Sequence, residues 1–205
     1  IFARTVYEAR ISLVVGLSVA IISIAIGLGI GLAGGYYRKF DSLIMRVMDG
    51  MMAIPAILLA IALVSLNRAG VGIVIVAIAI PEIPRVVRLV RSVVLTTREQ
   101  PYIEAAIGGG SRDGKIIARH LLPSTVAPLV VQATYIAASA ILTEAALSFL
   151  GVGVPPEIPT WGNMIASSRL FLARAPWTIF FPGACLALVI LAVNLVGDGL
   201  RDRLD

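Results

Sequence analysis

Of the 205 residues, 59% are hydrophobic and only 14% are charged. With a mean hydropathy of +0.96, the chain has too little polar surface to cover itself in water, which excludes a soluble globular enzyme and an intrinsically disordered chain. The net charge of +5 suits nucleic acid only as a basic face on a soluble module, so no nucleic-acid partner is expected and the arginines are read against a membrane.

The chain opens on Ile1, with Arg4, Glu8 and Arg10 ahead of the first apolar run. This is not a signal-peptide pattern, and it reads as a piece of a longer protein whose upstream helix is missing. A membrane helix needs about 20 mostly apolar residues, and five stretches qualify: roughly 11–35, 43–66, 71–90, 126–150 and 179–197. Lipid offers no partner to unpaired backbone groups, so these are helices. The run IVIVAIAI at 73–80 lacks the polar alternation of a barrel strand. The expected fold class is all-α, a polytopic transmembrane bundle with five spans.

Lys and Arg in the short connections set the orientation. Eleven fall on one side: Arg38, Lys39, Arg85, Arg88, Arg91, Arg98, Arg112, Lys115, Arg119, Arg201 and Arg203. Five fall on the other: Arg4, Arg10, Arg68, Arg169 and Arg174. The richer side, and with it the connection at 92–123, is expected in the cytoplasm. In that connection Pro101 suits a first helical position, Glu104 sits in the first turn where the helix dipole favours an acid, and Gly108, Gly109 and Gly110 end the helix. Ser111 is placed to cap a second short helix, closed by Pro123. The other long connection, 151–178, is expected outside. There Thr160 caps a short amphipathic helix, while Trp161 and Trp177 suit the aromatic belt.

The string EAAIGGGSRDGKIIARHLLP at 104–123 resembles the EAA signature of binding-protein-dependent ABC importer permeases. Glu104, Ala105, Ala106, Gly110, Leu122 and Pro123 occupy the matching positions. ARISLVVGL at 9–17, MRVMDGMMAIP at 45–55, LSFLGVGVPP at 147–156 and NLVGDGLRDRLD at 194–205 resemble the C-type subunit of the dipeptide, oligopeptide and nickel importer group. The resemblance covers nearly the whole chain. It implies the type I importer permease fold over 1–205, in a bacterial or archaeal inner membrane and in contact with lipid. It also implies a second permease subunit, two ATP-binding subunits and an extracytoplasmic solute-binding protein. This chain is then expected to bind no cofactor, ATP and Mg being held by the partner ATPases. Within the motif, the resemblance implies that Glu104, Ala105, Ala106, Gly110 and Ser111 form the contact with an ATPase. Ala105 and Ala106 allow close approach, Gly110 allows a sharp turn, and Glu104 either caps its own helix or pairs across the joint.

Glu82 lies roughly 16 Å into the third span, where an acid is costly and often functional. It either faces the translocation path or pairs with Arg85 one turn on. Arg85, Arg88 and Arg91 share a helix stripe that is expected to meet lipid headgroups. Arg46 and Asp49 are expected to pair on one helix, as are Asp198 and Arg201. Glu144 is expected against a polar neighbour rather than substrate, and Met51 and Met52 in packing. The single cysteine, Cys185, and single histidine, His120, build neither a disulfide framework nor a Cys/His metal cluster. No GxxxxGK[ST] phosphate loop is present, so the chain is not itself the ATPase. A secondary transporter or channel working without ATPases is the alternative, and of the residues it would need only Glu82 is in view.

Overall fold

Apolar runs with few helix breakers become long helices, and the computed structural model, which describes residues 2–67 and 70–204, is built from them. Arg68, counted on the arginine-poor side, lies outside the described residues, as does the side chain of Arg4. The order is α1 (Phe2–Tyr36), α2 (Arg38–Met52), α3 (Ala56–Ser65), α4 (Val71–Arg98), α5 (Pro101–Gly108), α6 (Asp113–Ile116), a π turn (Ile117–Leu121), α7 (Leu122–Phe149), α8 (Trp161–Ser168), a 3₁₀ turn (Arg169–Phe171) and α9 (Trp177–Leu204).

Among the described residues, three helices are long and apolar enough to cross a membrane: Thr5–Tyr36, Asp113–Phe149 and Trp177–Arg203. The expected second span is broken. Its halves, α2 and α3, meet at 81°, because Pro55 has no N–H for the ladder and biases Ile54 away from helical geometry. The expected third span is helical throughout α4, but Glu82, Arg85 and Arg88 interrupt its apolar run. The count of five uniform spans is therefore corrected to three continuous spans, the bent pair, and one charge-bearing helix packed within the bundle.

α1 packs most extensively on α4, and α7 lies against α1 and α9. The α1–α4 contact is a ladder of small against β-branched residues. A Cβ added to Gly27 would come within 2.5 Å of Val86, and one added to Gly31 or Gly35 within 2.7 Å of Val90 or Val94. Glycine every fourth residue clears one helix face, which lets two backbones approach closely in lipid, where association depends on van der Waals packing. Because 27, 31 and 35 pair with 86, 90 and 94 in ascending order, α1 and α4 run parallel.

The second short helix expected in the 92–123 connection does not stop at Pro123. α6, the π turn and α7 form one helix of 37 residues. Pro123 lies within that helix and not at either end of it; its ring and missing N–H are accommodated by the wider π turn, Ile117–Leu121, that directly precedes it.

Candidate functional site

At the arginine-rich end, α4 is followed by a tight corner. Gln100 is extended, as expected before a proline, and Pro101 starts α5. The helix closes in a Schellman arrangement: the Gly110 N–H donates to Ile107 O at 2.9 Å and the Ser111 N–H to Ala106 O at 3.0 Å. Gly110 takes φ +75°, a left-handed conformation that glycine adopts without a Cβ penalty. Ser111 thus serves through its backbone. The cap position of α6 is Arg112, with no side-chain capping bond, which corrects the expectation that Ser111 caps that helix.

Only Ile103 of α5 is buried. Glu104 and Ala105 are exposed, Ala106 is half-buried, and the apolar side chains of Tyr102 and Ile107 face outward beside them. Among the described residues Glu104 forms no ion pair. The corner that carries α5 is braced from behind. Tyr36 Oη donates to Asp113 Oδ1 at 2.8 Å, and Arg98 Nη1 donates to the carbonyls of Gly35 and Tyr36 at 3.3 and 3.2 Å. Those carbonyls end α1, where a cation is favoured. The result is a short apolar helix presented outward on a fixed base.

The arginine stripe of α4 faces acids rather than lipid headgroups. Arg91 grips Asp41 through two bonds of 2.5 and 2.6 Å, and Arg88 reaches Asp49 at 2.5 Å. Asp49 therefore pairs across helices instead of with Arg46. Arg85 donates from Nη1 to both oxygens of Glu82, at 2.8 and 3.0 Å. The Glu82 side chain is 6% exposed and that of Arg85 40%. A cavity of about 170 Å3 beside them is lined by Ala56, Ile57, Glu82, Arg85, Ser139 and Thr143 among others. Asp41 and Asp49 are eight residues apart on α2 while Arg91 and Arg88 are three apart on α4, so the spacing did not announce the cross-helix pairing, and the signal left in the sequence was the presence of acids on α2 opposite a basic stripe on α4.

At the opposite end, Glu144 is fully buried and accepts from Ser148 at 2.8 Å and Ser12 at 3.3 Å, the polar neighbours expected of it. Glu8, read from sequence as part of a polar lead-in, is also fully buried. Thr160 caps α8 by accepting the Asn163 N–H at 3.2 Å. Trp161 is 1% exposed and donates from Nε1 to Thr5 O at 2.9 Å. Its assignment to an aromatic belt is thereby corrected: the indole is a core plug between α8 and α1. Trp177 is 51% exposed. Among the described residues no group of three His, Cys, Asp or Glu side chains is placed to hold a metal ion.

Residues 25–205 match the family described as "Binding-protein-dependent transport system inner membrane component". The chain is 65% identical over 205 residues to the "Probable peptide ABC transporter permease protein y4tQ" of Sinorhizobium fredii, covering 100% of this chain and 70% of that protein. It is 48% identical over 206 residues to the "Dipeptide transport system permease protein DppC" of Alkalihalophilus pseudofirmus, covering 100% of this chain and 68% of that one. Its fold is that of a chain in an inward-facing structure of the MetNI methionine ABC transporter, with TM-score 0.82 at 18% identity over 100% of this chain and 97% of that chain.

Proposed function

The chain belongs to the family of binding-protein-dependent transport system inner membrane components, and from that premise we propose that it is one permease subunit of an ATP-driven importer of peptides. It is a multi-pass membrane protein and a transport component, not an enzyme. Systems of this family combine permease, ATPase and binding-protein components. The finer assembly proposed here is this chain, one related permease, two cytoplasmic ATPases that hold ATP and Mg, and a solute-binding protein, in a bacterial or archaeal inner membrane.

The observation that carries the reading is the outward face of α5. Coupling to a motor on another subunit requires a small rigid contact that both partners bias. α5 is held by Ile103 and the braced corner behind it, and it offers Glu104 and Ala105 to the outside. Residues 92–123 are thus assigned as the coupling module, with the corner proper at 99–112. Residues 151–178, including α8, are assigned to the face that meets the binding protein. The Glu82–Arg85 pair is assigned to the translocation path, because broken backbone at membrane depth is tolerated where it lines a cavity, and α2–α3 breaks beside it.

The test is copurification and uptake together. The full-length protein should carry ATPase subunits and a second permease with it from membranes, and Glu104→Lys should abolish peptide uptake while leaving the protein in the membrane. Normal uptake by that variant would sink the coupling assignment.

A further inference from the structure

Two cavities flank the break between α2 and α3, and Arg85 lines both. One, of about 170 Å3, includes Ala56, Glu82, Ser139 and Thr143. The other, of about 210 Å3, includes Met51, Met52, Pro55, Ala56 and Pro81. Arg85 spends only Nη1 on Glu82. Among the described residues Nε and Nη2 have no acceptor, although Arg88 and Arg91 on the same helix are both engaged by acids of α2. A guanidinium midway along a membrane helix, held in place by a buried carboxylate and with donors to spare, is poised for a second anion.

The first cavity also supplies an acceptor. The Thr143 hydroxyl donates to Ser139 O at 2.8 Å, so its proton is committed and its oxygen is left to accept from an N–H. We infer that Arg85 and Thr143 form a transient subsite for the carboxylate end of a passing peptide, the carboxylate on the unused edge of Arg85 and the last peptide N–H toward Thr143. Glu82 is then a positioning residue that orients the guanidinium. The subsite rests on the peptide-import reading and adds which charge meets the substrate: the arginine, in place of the acid.

The experiment uses the assembled transporter carrying Ala56→Cys in a Cys185→Ser background. A cationic methanethiosulfonate labels the introduced thiol in the absence and presence of alanyl-alanine or alanyl-alanine amide. The free dipeptide should slow labelling about tenfold, the discrimination expected of a charge-assisted pair, and the amide should not. Arg85→Gln should remove the protection and Arg85→Lys should retain part of it. Equal protection by acid and amide, or protection that persists in Arg85→Gln, overturns the subsite. So does a thiol that is closed to the reagent without peptide, which would place the cavities in a subunit interface. Because the acid and amide are compared with Arg85 intact, the result does not depend on the arginine variants folding. Dipeptide uptake by the wild-type assembly with its binding protein is measured alongside. Its absence overturns the peptide reading itself, whereas intact uptake with an unprotected thiol overturns only the subsite.

Discussion

Glu144 shows how a single acid is accommodated at one end of a membrane bundle. Both carboxyl oxygens are occupied by hydroxyls, from Ser148 on its own helix and Ser12 on α1, and Ser148 Oγ also accepts the Val154 N–H at 3.2 Å. The group thereby ties α1, α7 and the start of the 151–178 connection. Removing it leaves two buried hydroxyls without their acceptor, each costing about 1–3 kcal/mol. Glu144→Ala should lower the thermal midpoint of the detergent-solubilised protein by roughly 5 °C or more, measured by intrinsic fluorescence on heating. An unchanged midpoint would show that the network contributes nothing.

For the helices, packing volume decides. Even a methyl group at Gly31 would lie 2.7 Å from Val90 Cβ and 3.0 Å from Val87 O, so α1 and α4 must separate to admit it, at a cost of about 1–3 kcal/mol. Nothing lies within 4 Å of a Cβ at Gly29, two residues away. Gly31→Ala should therefore reduce thermal stability and Gly29→Ala should leave it equal or higher, in the same melting assay; similar midpoints for the two would refute the ladder. The long helices themselves were legible in composition, since α1, α7 and α9 follow runs that only a helix can hold in lipid. The break at Ala53–Pro55 escaped a hydropathy window, to which Met51, Met52, Ala53 and Ile54 look the same whether helical or bent, although Pro55 itself was its readable signal. Pro123 misled in the opposite direction, because a proline usually stops a helix and here the π turn before it lets the helix run on. Trp161 was misplaced because an indole suits both an interface and a core, and only the position of the Thr5 carbonyl distinguishes them. Of the corner that carries α5, Pro101, Glu104 and Gly110 were readable from local rules, whereas the bracing by Tyr36 and Arg98 depends on contacts more than sixty residues apart along the chain.

Across the whole molecule, two cross-helix ion pairs clasp the short amphipathic α2 to α4 at the arginine-rich end. Arg91 holds Asp41 with a two-point grip and both side chains are partly shielded, so this pair contributes more than a solvated one would. Arg91→Asp should loosen α2 and speed tryptic cleavage after Arg38 and Lys39 several-fold, and Asp41→Arg added to it should restore much of the resistance; a double variant as sensitive as the single would exclude a direct pairing. One more property follows from the unbroken run Asp113–Phe149. At 1.5 Å per residue its 37 residues reach about 55 Å, from the Gly110 corner to the Glu144 network. A displacement at one extremity would therefore reach the far extremity along a single rod, whose points of give are the over-wide winding at Ile117–Leu121 and the prolines at 123 and 128.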